Sequence, residues 1–109
     1  MKSGNLYEPI PSNLTEEFLE ILAEGEGKLK IERIVSSHQA PPSDTWYDQP
    51  STEWVAVLKG SAVLRFENDD GPLVTLSVGD WLEIPPHAKH RVEAVDELID
   101  TVWLAIHWE

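Results

Sequence analysis

Apolar and polar residues alternate along most of this chain from residue 29 onward, and that alternation predicts strands. Leu29 to Ser36 places Ile31, Arg33 and Val35 on one face and Glu32, Ile34 and Ser36 on the other. Trp54 to Leu58, Ala62 to Phe66, Leu73 to Leu76, Trp81 to Ile84, His90 to Glu93 and Thr101 to Trp108 follow as further strands. Lys59-Gly60-Ser61 joins two of them, and Asn68-Asp69-Asp70-Gly71 is a turn signal. Trp54-Val55-Ala56-Val57-Leu58 is apolar on both faces. One face fills a core; the other needs a cover from a second sheet, a helix or a partner subunit. Short strands punctuated by Gly and Pro predict an antiparallel sandwich or barrel.

The first 28 residues read differently. Residues 1–12 form an irregular arm, because Pro9 and Pro11 block regular pairing. Asn13-Leu14-Thr15-Glu16 has the form of a capping box. Leu14, Phe18, Ile21 and Leu22 then recur at helical spacing, with Glu17, Glu20 and Glu24 on the opposite face. Gly25 and Gly27 end the element. The expectation is a short amphipathic helix on the outside of the domain. Residues 37–52 are a long polar loop with three prolines and the pair Trp46-Tyr47. No repeat or linker interrupts the chain, so residues 1–109 are expected to form one domain, with arm and helix over 1–28 and the barrel over 29–109.

Composition narrows the function. Eight Lys and Arg stand against 20 Asp and Glu, a net charge of −12. Such a surface repels phosphate backbones and anionic lipids, so neither nucleic acid nor membrane is expected as a partner. The acidic residues are interleaved with Val, Ile, Leu and Trp, which is the pattern of a solvated face, not of a disordered tail. There is no cysteine, which excludes disulfides and thiolate metal sites. No apolar run is long enough to cross a bilayer, and Met-Lys-Ser-Gly-Asn-Leu-Tyr has no signal-peptide core, so a cytoplasmic protein is expected. Five tryptophans point to a filled core, an aromatic pocket or a subunit interface.

Residues 79–90, Gly-Asp-Trp-Leu-Glu-Ile-Pro-Pro-His-Ala-Lys-His, carry the clearest chemistry. A Gly-Asp turn leads into a short apolar run, two prolines stop it, and His90 opens the next strand. Upstream, Glu53 starts a strand and Gly60 turns it. Parity puts Glu53 with Val55 and Val57, and His90 with Val92. A carboxylate and an imidazole on apolar inward faces need each other, a metal or trapped water to offset desolvation.

Glu53-x6-Gly60 and Gly79-x5-Pro85-x4-His90 resemble the two signature motifs of the cupin superfamily over roughly residues 29–107. Trp46-Tyr47-Asp48-Gln49, Glu53-Trp54-Val55, Ile84-Pro85, His87 and His90-Arg91-Val92-Glu93 further resemble a subgroup of small bacterial single-domain cupins. The resemblance implies an antiparallel jelly-roll barrel, usually a homodimer. It also implies a divalent transition metal, Fe, Mn, Zn or Ni, inside the barrel. The first motif normally reads His-x-His, then three or four residues, then Glu. With four residues between, Asp48 and Trp46 occupy the two histidine places. The expected metal ligands are therefore Asp48, Glu53 and His90, with His87 as a fourth donor and Gln49 a weak one. That oxygen-weighted set favours Mn, Fe(II) or Zn over Cu(I).

Trp46, Tyr47, Gln49 and Arg33 are the candidate substrate contacts. Plainer roles stand beside these. Glu53 and His90 can bond to one another without metal, His87 can be an exposed loop residue, and Arg33 can be a buried salt-bridge partner. His38 and His107 have no partner by spacing and read as structural. The functional expectation is a metal-dependent cupin that binds or acts on a small polar metabolite, by oxygenase, isomerase or lyase chemistry. The alternatives are a metal-free binding or sensor module and a structural dimeric protein.

Overall fold

Eight strands carry the fold: β1 (Phe18–Gly25), β2 (Leu29–Ser36), β3 (Thr52–Lys59), β4 (Ser61–Phe66), β5 (Leu73–Ser77), β6 (Trp81–Ile84), β7 (His90–Val95) and β8 (Thr101–Trp108). The computed structural model describes residue 1 and residues 3–109. All strand pairs are antiparallel. They form a five-stranded sheet in the order β1-β2-β8-β3-β6 and a three-stranded sheet in the order β5-β4-β7. The two sheets enclose a core of Val55, Val57, Ala62, Leu64, Leu76, Ile84 and Trp103. This is the expected barrel-like arrangement.

The N-terminal helix expected over residues 13–25 is absent; most of that stretch is β1. Three local facts explain the difference. Asn13 lies in the left-handed region (φ 60°), whereas a helix N-cap takes an extended backbone. Glycines that read as a helix stop belong to a hairpin: Gly27 (φ 68°) and Lys28 (φ 53°) are both left-handed, as a type I′ turn requires, and the Leu29 amide bonds to the Glu26 carbonyl at 3.3 Å. Phe18 to Gly25 then pairs with β2 along its length, with a bulge between Ile21 and Ala23. Cross-strand pairing outweighs the few tenths of a kilocalorie per residue by which sequence favours helix there.

Register decides which side chains face the barrel interior. Glu53 lies opposite His107, Val55 opposite Ala105 and Val57 opposite Trp103 across β3 and β8. These, with Glu32 and Ile34 of β2, form the inner face. Arg33 lies opposite Glu20 on one side and Leu104 on the other, so it belongs to the outer face. The β3–β4 turn needs Gly60. Its φ is 83°, and a Cβ there would stand 2.5 Å from Thr101 Oγ1. That close approach lets the Thr101 hydroxyl bond to the Ser61 carbonyl at 2.9 Å.

Candidate metal and ligand site

One buried chain of acids and imidazoles occupies the inner face. His90 Nε2 is 3.4 Å from Glu53 Oε1, and His107 Nε2 is 3.3 Å from Glu53 Oε2. His107 Nε2 is also 2.6 Å from Glu32 Oε1. Glu32, His90 and His107 are all buried. Four strands supply the four residues: Glu32 from β2, Glu53 from β3, His90 from β7 and His107 from β8. Both sheets therefore meet at this point.

Neighbours fix the His90 ring. Its Nδ1 lies 2.8 Å from the Ala88 carbonyl oxygen, which only accepts, so Nδ1 carries a proton and Nε2 faces Glu53. The Tyr47 and Phe66 rings flank it at centroid distances of 5.7 and 5.6 Å. Tyr47 and His90 also exchange backbone hydrogen bonds, at 2.7 and 3.0 Å. Electrostatics follow the contacts. Burial alone would raise the Glu53 pKa, but the His90 hydrogen bond, the His107 and His90 charges and Gln49 bring it below the usual carboxylate value. Burial alone would lower the His90 pKa, but Glu53 and the Ala88 carbonyl bring it above the usual imidazole value. Each partner therefore favours the charged form of the other.

A cavity of about 230 Å³ opens beside these residues. Its polar corner is Glu32, Glu53, His90 and His107; Ile34, Val55, Leu64, Val92 and Trp103 line the apolar walls; Glu17, Lys30, Tyr47 and Gln49 also border it. Glu17 bonds to the Ser36 hydroxyl at 3.4 Å. Burial raises the Glu17 pKa, and the Glu53 and Glu32 charges add to the rise, against the Ser36 hydrogen bond.

Of the residues the sequence singled out, Glu53 and His90 converge. Tyr47 and Gln49 also reach the cavity. Asp48 and His87 do not border it. They pair with each other at 2.7 Å, and both are well exposed. The reason is parity. Residues 46–49 run extended alongside the segment that precedes β7, so 47 and 49 point inward while 46 and 48 point outward. A spacing of three residues before Glu53, not four, therefore matches the first cupin motif, and it puts Tyr47 and Gln49 in the histidine places. Trp46 packs outside against Lys89 and Arg91, at 5.0 and 4.7 Å from their charged groups. Arg33 pairs with Glu20 at 3.3 Å, away from the cavity, and its Nε has no partner among the described residues. His38 pairs with Asp100 at 2.6 Å.

Sequence reasoning missed Glu32 and His107. One signal pointed to them: each alternates with apolar residues on a strand, Glu32 with Ile34 and His107 with Ala105 and Trp103. What spacing did not supply was the register that brings β2 and β8 together.

A family model for the cupin domain matches residues 37–107. The chain is a cupin. A Ralstonia eutropha protein, provisionally assigned as a mannose-6-phosphate isomerase, is 44% identical, with coverage of 100% of this chain and 99% of that one and a TM-score of 0.88. An RmlC-like cupin from Desulfovibrio desulfuricans is 23% identical over 97% of this cupin and 95% of that chain, with a TM-score of 0.71. The iron(II) protein HppE shares the fold at 14% identity and a TM-score of 0.73. The match covers 91% of this cupin and 53% of the HppE chain. No curated protein matches the chain. Among the described residues, no helix of this cupin is long and apolar enough to cross a membrane.

The donor types of this cupin suit a divalent transition metal by their chemistry. Two imidazole nitrogens and a carboxylate are the donor set of non-haem iron and zinc sites. A ligating histidine commonly donates its other N–H to a backbone carbonyl, as His90 does to Ala88. As they stand the donors form a chain of close nitrogen–oxygen contacts. Among the described residues no three His, Asp or Glu side chains are arranged to hold a metal ion.

Proposed function

We propose that this cupin binds a small polar metabolite in the barrel cavity, next to a divalent transition metal held by Glu53, His90 and His107. One observation carries the reading: two buried imidazole Nε2 atoms face the two oxygens of one largely buried carboxylate. Nitrogen–oxygen separations of 3.3 and 3.4 Å are close to the ligand–ligand edge of about 3–3.5 Å around an ion with bonds near 2.1 Å. When bound, the metal supplies Lewis-acid polarisation of a ligand oxygen. Around it, Ala88 holds the His90 ring and Gln49 and Tyr47 form the wall beside Glu53, while ligation by His107 Nε2 would require that atom to give up its 2.6 Å contact with Glu32.

The Ralstonia relative points toward sugar-like ligands, and this chain's cavity suits the uncharged part of one. Three carboxylates, Glu17, Glu32 and Glu53, border it against one lysine, Lys30. The reading is tested by metal analysis of protein purified without added metals. Near-stoichiometric metal is expected in the wild type, and its loss in His90→Ala and His107→Ala. Asp48→Ala and His87→Ala should retain it. Equal, near-zero metal in all samples under varied growth metals would count against it.

A metal-free binding module is the second reading. The observation that favours it is the 2.6 Å contact between His107 and Glu32, which already satisfies an imidazole nitrogen without metal. It predicts melting temperatures that rise with an organic ligand and not with metals. The partner in either reading is a second copy of the chain. Its support is the outer face of the five-stranded sheet, where Trp54 and Trp81 stack at 5.8 Å with Trp81 62% exposed.

A further inference from the structure

A second cavity of about 200 Å³ adjoins the first. Glu17, Tyr47 and Val92 border both, which places the two side by side. A hydrogen-bonded path runs through the same place: the Trp103 indole N–H donates to Ser36 Oγ at 3.1 Å, and Ser36 Oγ meets Glu17 at 3.4 Å. Trp103 borders the first cavity and Ser36 the second.

Size and chemistry say what the second cavity does. Pockets that bury small ligands usually measure about 300–1,000 Å³. Each cavity alone falls below that range, and the two joined fall within it. The lining of the second cavity includes Thr15, Ser36, Ser37 and Ser43 and the prolines Pro41 and Pro42; Ser36 is already engaged by Trp103 and Glu17, and Ser43 by Thr45. Its lining includes no Lys, Arg or His among the described residues. An anionic group there would be partly stripped of hydration without a cationic partner and would face Glu16 and Glu17. Hydroxyl groups, by contrast, find donors in the Thr15 and Ser37 O–H groups, the latter only accepting from Gln39 at present, and an acceptor in the Glu16 carboxylate.

We infer that the ligand is elongated, spans both cavities, and places an uncharged, hydroxyl-bearing end among Ser36, Ser37, Ser43 and Thr15. This rests on the barrel cavity as the ligand site and not on the metal, which is measured separately. Glycerol, xylitol and sorbitol are graded in length and uncharged. Glucarate matches sorbitol in length but is charged at both ends, so one charged end must enter the second cavity. Binding is read by saturation-transfer NMR on the protein as purified, with metal content assayed in parallel. Ala40 lies on the loop bordering the second cavity only, half-buried, so Ala40→Phe fills it.

Binding should strengthen from glycerol to sorbitol. Glucarate should bind roughly tenfold more weakly than sorbitol, about 1.4 kcal/mol. Ala40→Phe should remove the sorbitol gain and leave glycerol binding, which also reports an intact fold. Ser43→Leu, at an exposed position, is a second blocking variant with the same expected pattern. The inference is overturned by any of three results. These are no binding of any polyol, sorbitol binding that both variants leave unchanged, or glucarate binding as tight as sorbitol and lost in Ala40→Phe. Loss of metal with polyol binding intact would overturn the metal reading and leave this one standing.

Discussion

Glu53 and His107 face each other across adjacent strands, and their side chains meet at 3.3 Å on the buried face of the sheet. His107 is at the same time 2.6 Å from Glu32. One imidazole thus separates two buried carboxylates. Removing it leaves two like charges in a low-dielectric interior. His107→Ala is expected to destabilise the protein by about 3 kcal/mol in urea unfolding at neutral pH. The loss should shrink in acid as the carboxylates take up protons. A loss below about 1 kcal/mol would mean that the cluster does not depend on the imidazole.

In protein stripped of metal, the Glu53–His90 pair makes stability depend on pH. The Glu53 pKa lies below its ordinary 4.5, so the stabilisation is present above that value and fades as pH falls through the folded one. The His90 pKa lies above its ordinary 6.5, so its share is present below that value and fades as pH rises through the folded one. Both contributions are complete between pH 4.5 and 6.5. The stability difference between wild type and Glu53→Gln should be largest in that window and smaller on either side. A difference that stays flat from acid to alkaline pH would contradict the pairing.

Glu17 is expected to behave in the opposite sense. Its pKa is raised by burial and by the Glu53 and Glu32 charges, so the folded state holds its proton more firmly than the unfolded chain does. Ionising it costs stability as pH rises above the ordinary carboxylate value. The Glu17 side chain is solvent-accessible, so screening keeps the effect small: Glu17→Gln should raise the melting temperature slightly at neutral pH and change it little in acid. Differential scanning calorimetry at the two pH values checks this. A lower melting temperature for the variant at neutral pH would show that Glu17 has a cationic partner in solution.

Assembly has a separate test. Trp81 is 62% exposed and stacked on Trp54 on the outer sheet face. Sedimentation velocity should find a dimer, and Trp81→Glu should shift it toward monomer by placing a charge in an apolar contact. A wild-type monomer, or a variant dimer of unchanged affinity, would remove this face as the interface.

Seven of the eight strands are legible from short apolar or alternating runs bounded by turn residues, with period two visible where one face meets solvent and absent in Trp54-Val55-Ala56-Val57-Leu58. β1 was misread as a helix. Leu14, Phe18, Ile21 and Leu22 fit a helical period, and the bulge between Ile21 and Ala23 breaks the strand period where it would have helped. Glu53 and His90 were legible because turns and prolines mark their strand ends. Asp48 was misassigned by one residue of spacing, which in an extended segment reverses the side-chain direction. Glu32 and His107 stayed hidden because their meeting depends on which strands are neighbours, and β2 pairs with β8 from the far end of the chain.

Anomalous scattering at transition-metal edges from crystals of the purified protein tests the central claim most directly. The account predicts one peak inside the barrel, about 2.0–2.2 Å from His90 Nε2, His107 Nε2 and a Glu53 oxygen. A peak between Asp48 and His87 at the surface, or none at any edge in metal-supplemented protein, would contradict it.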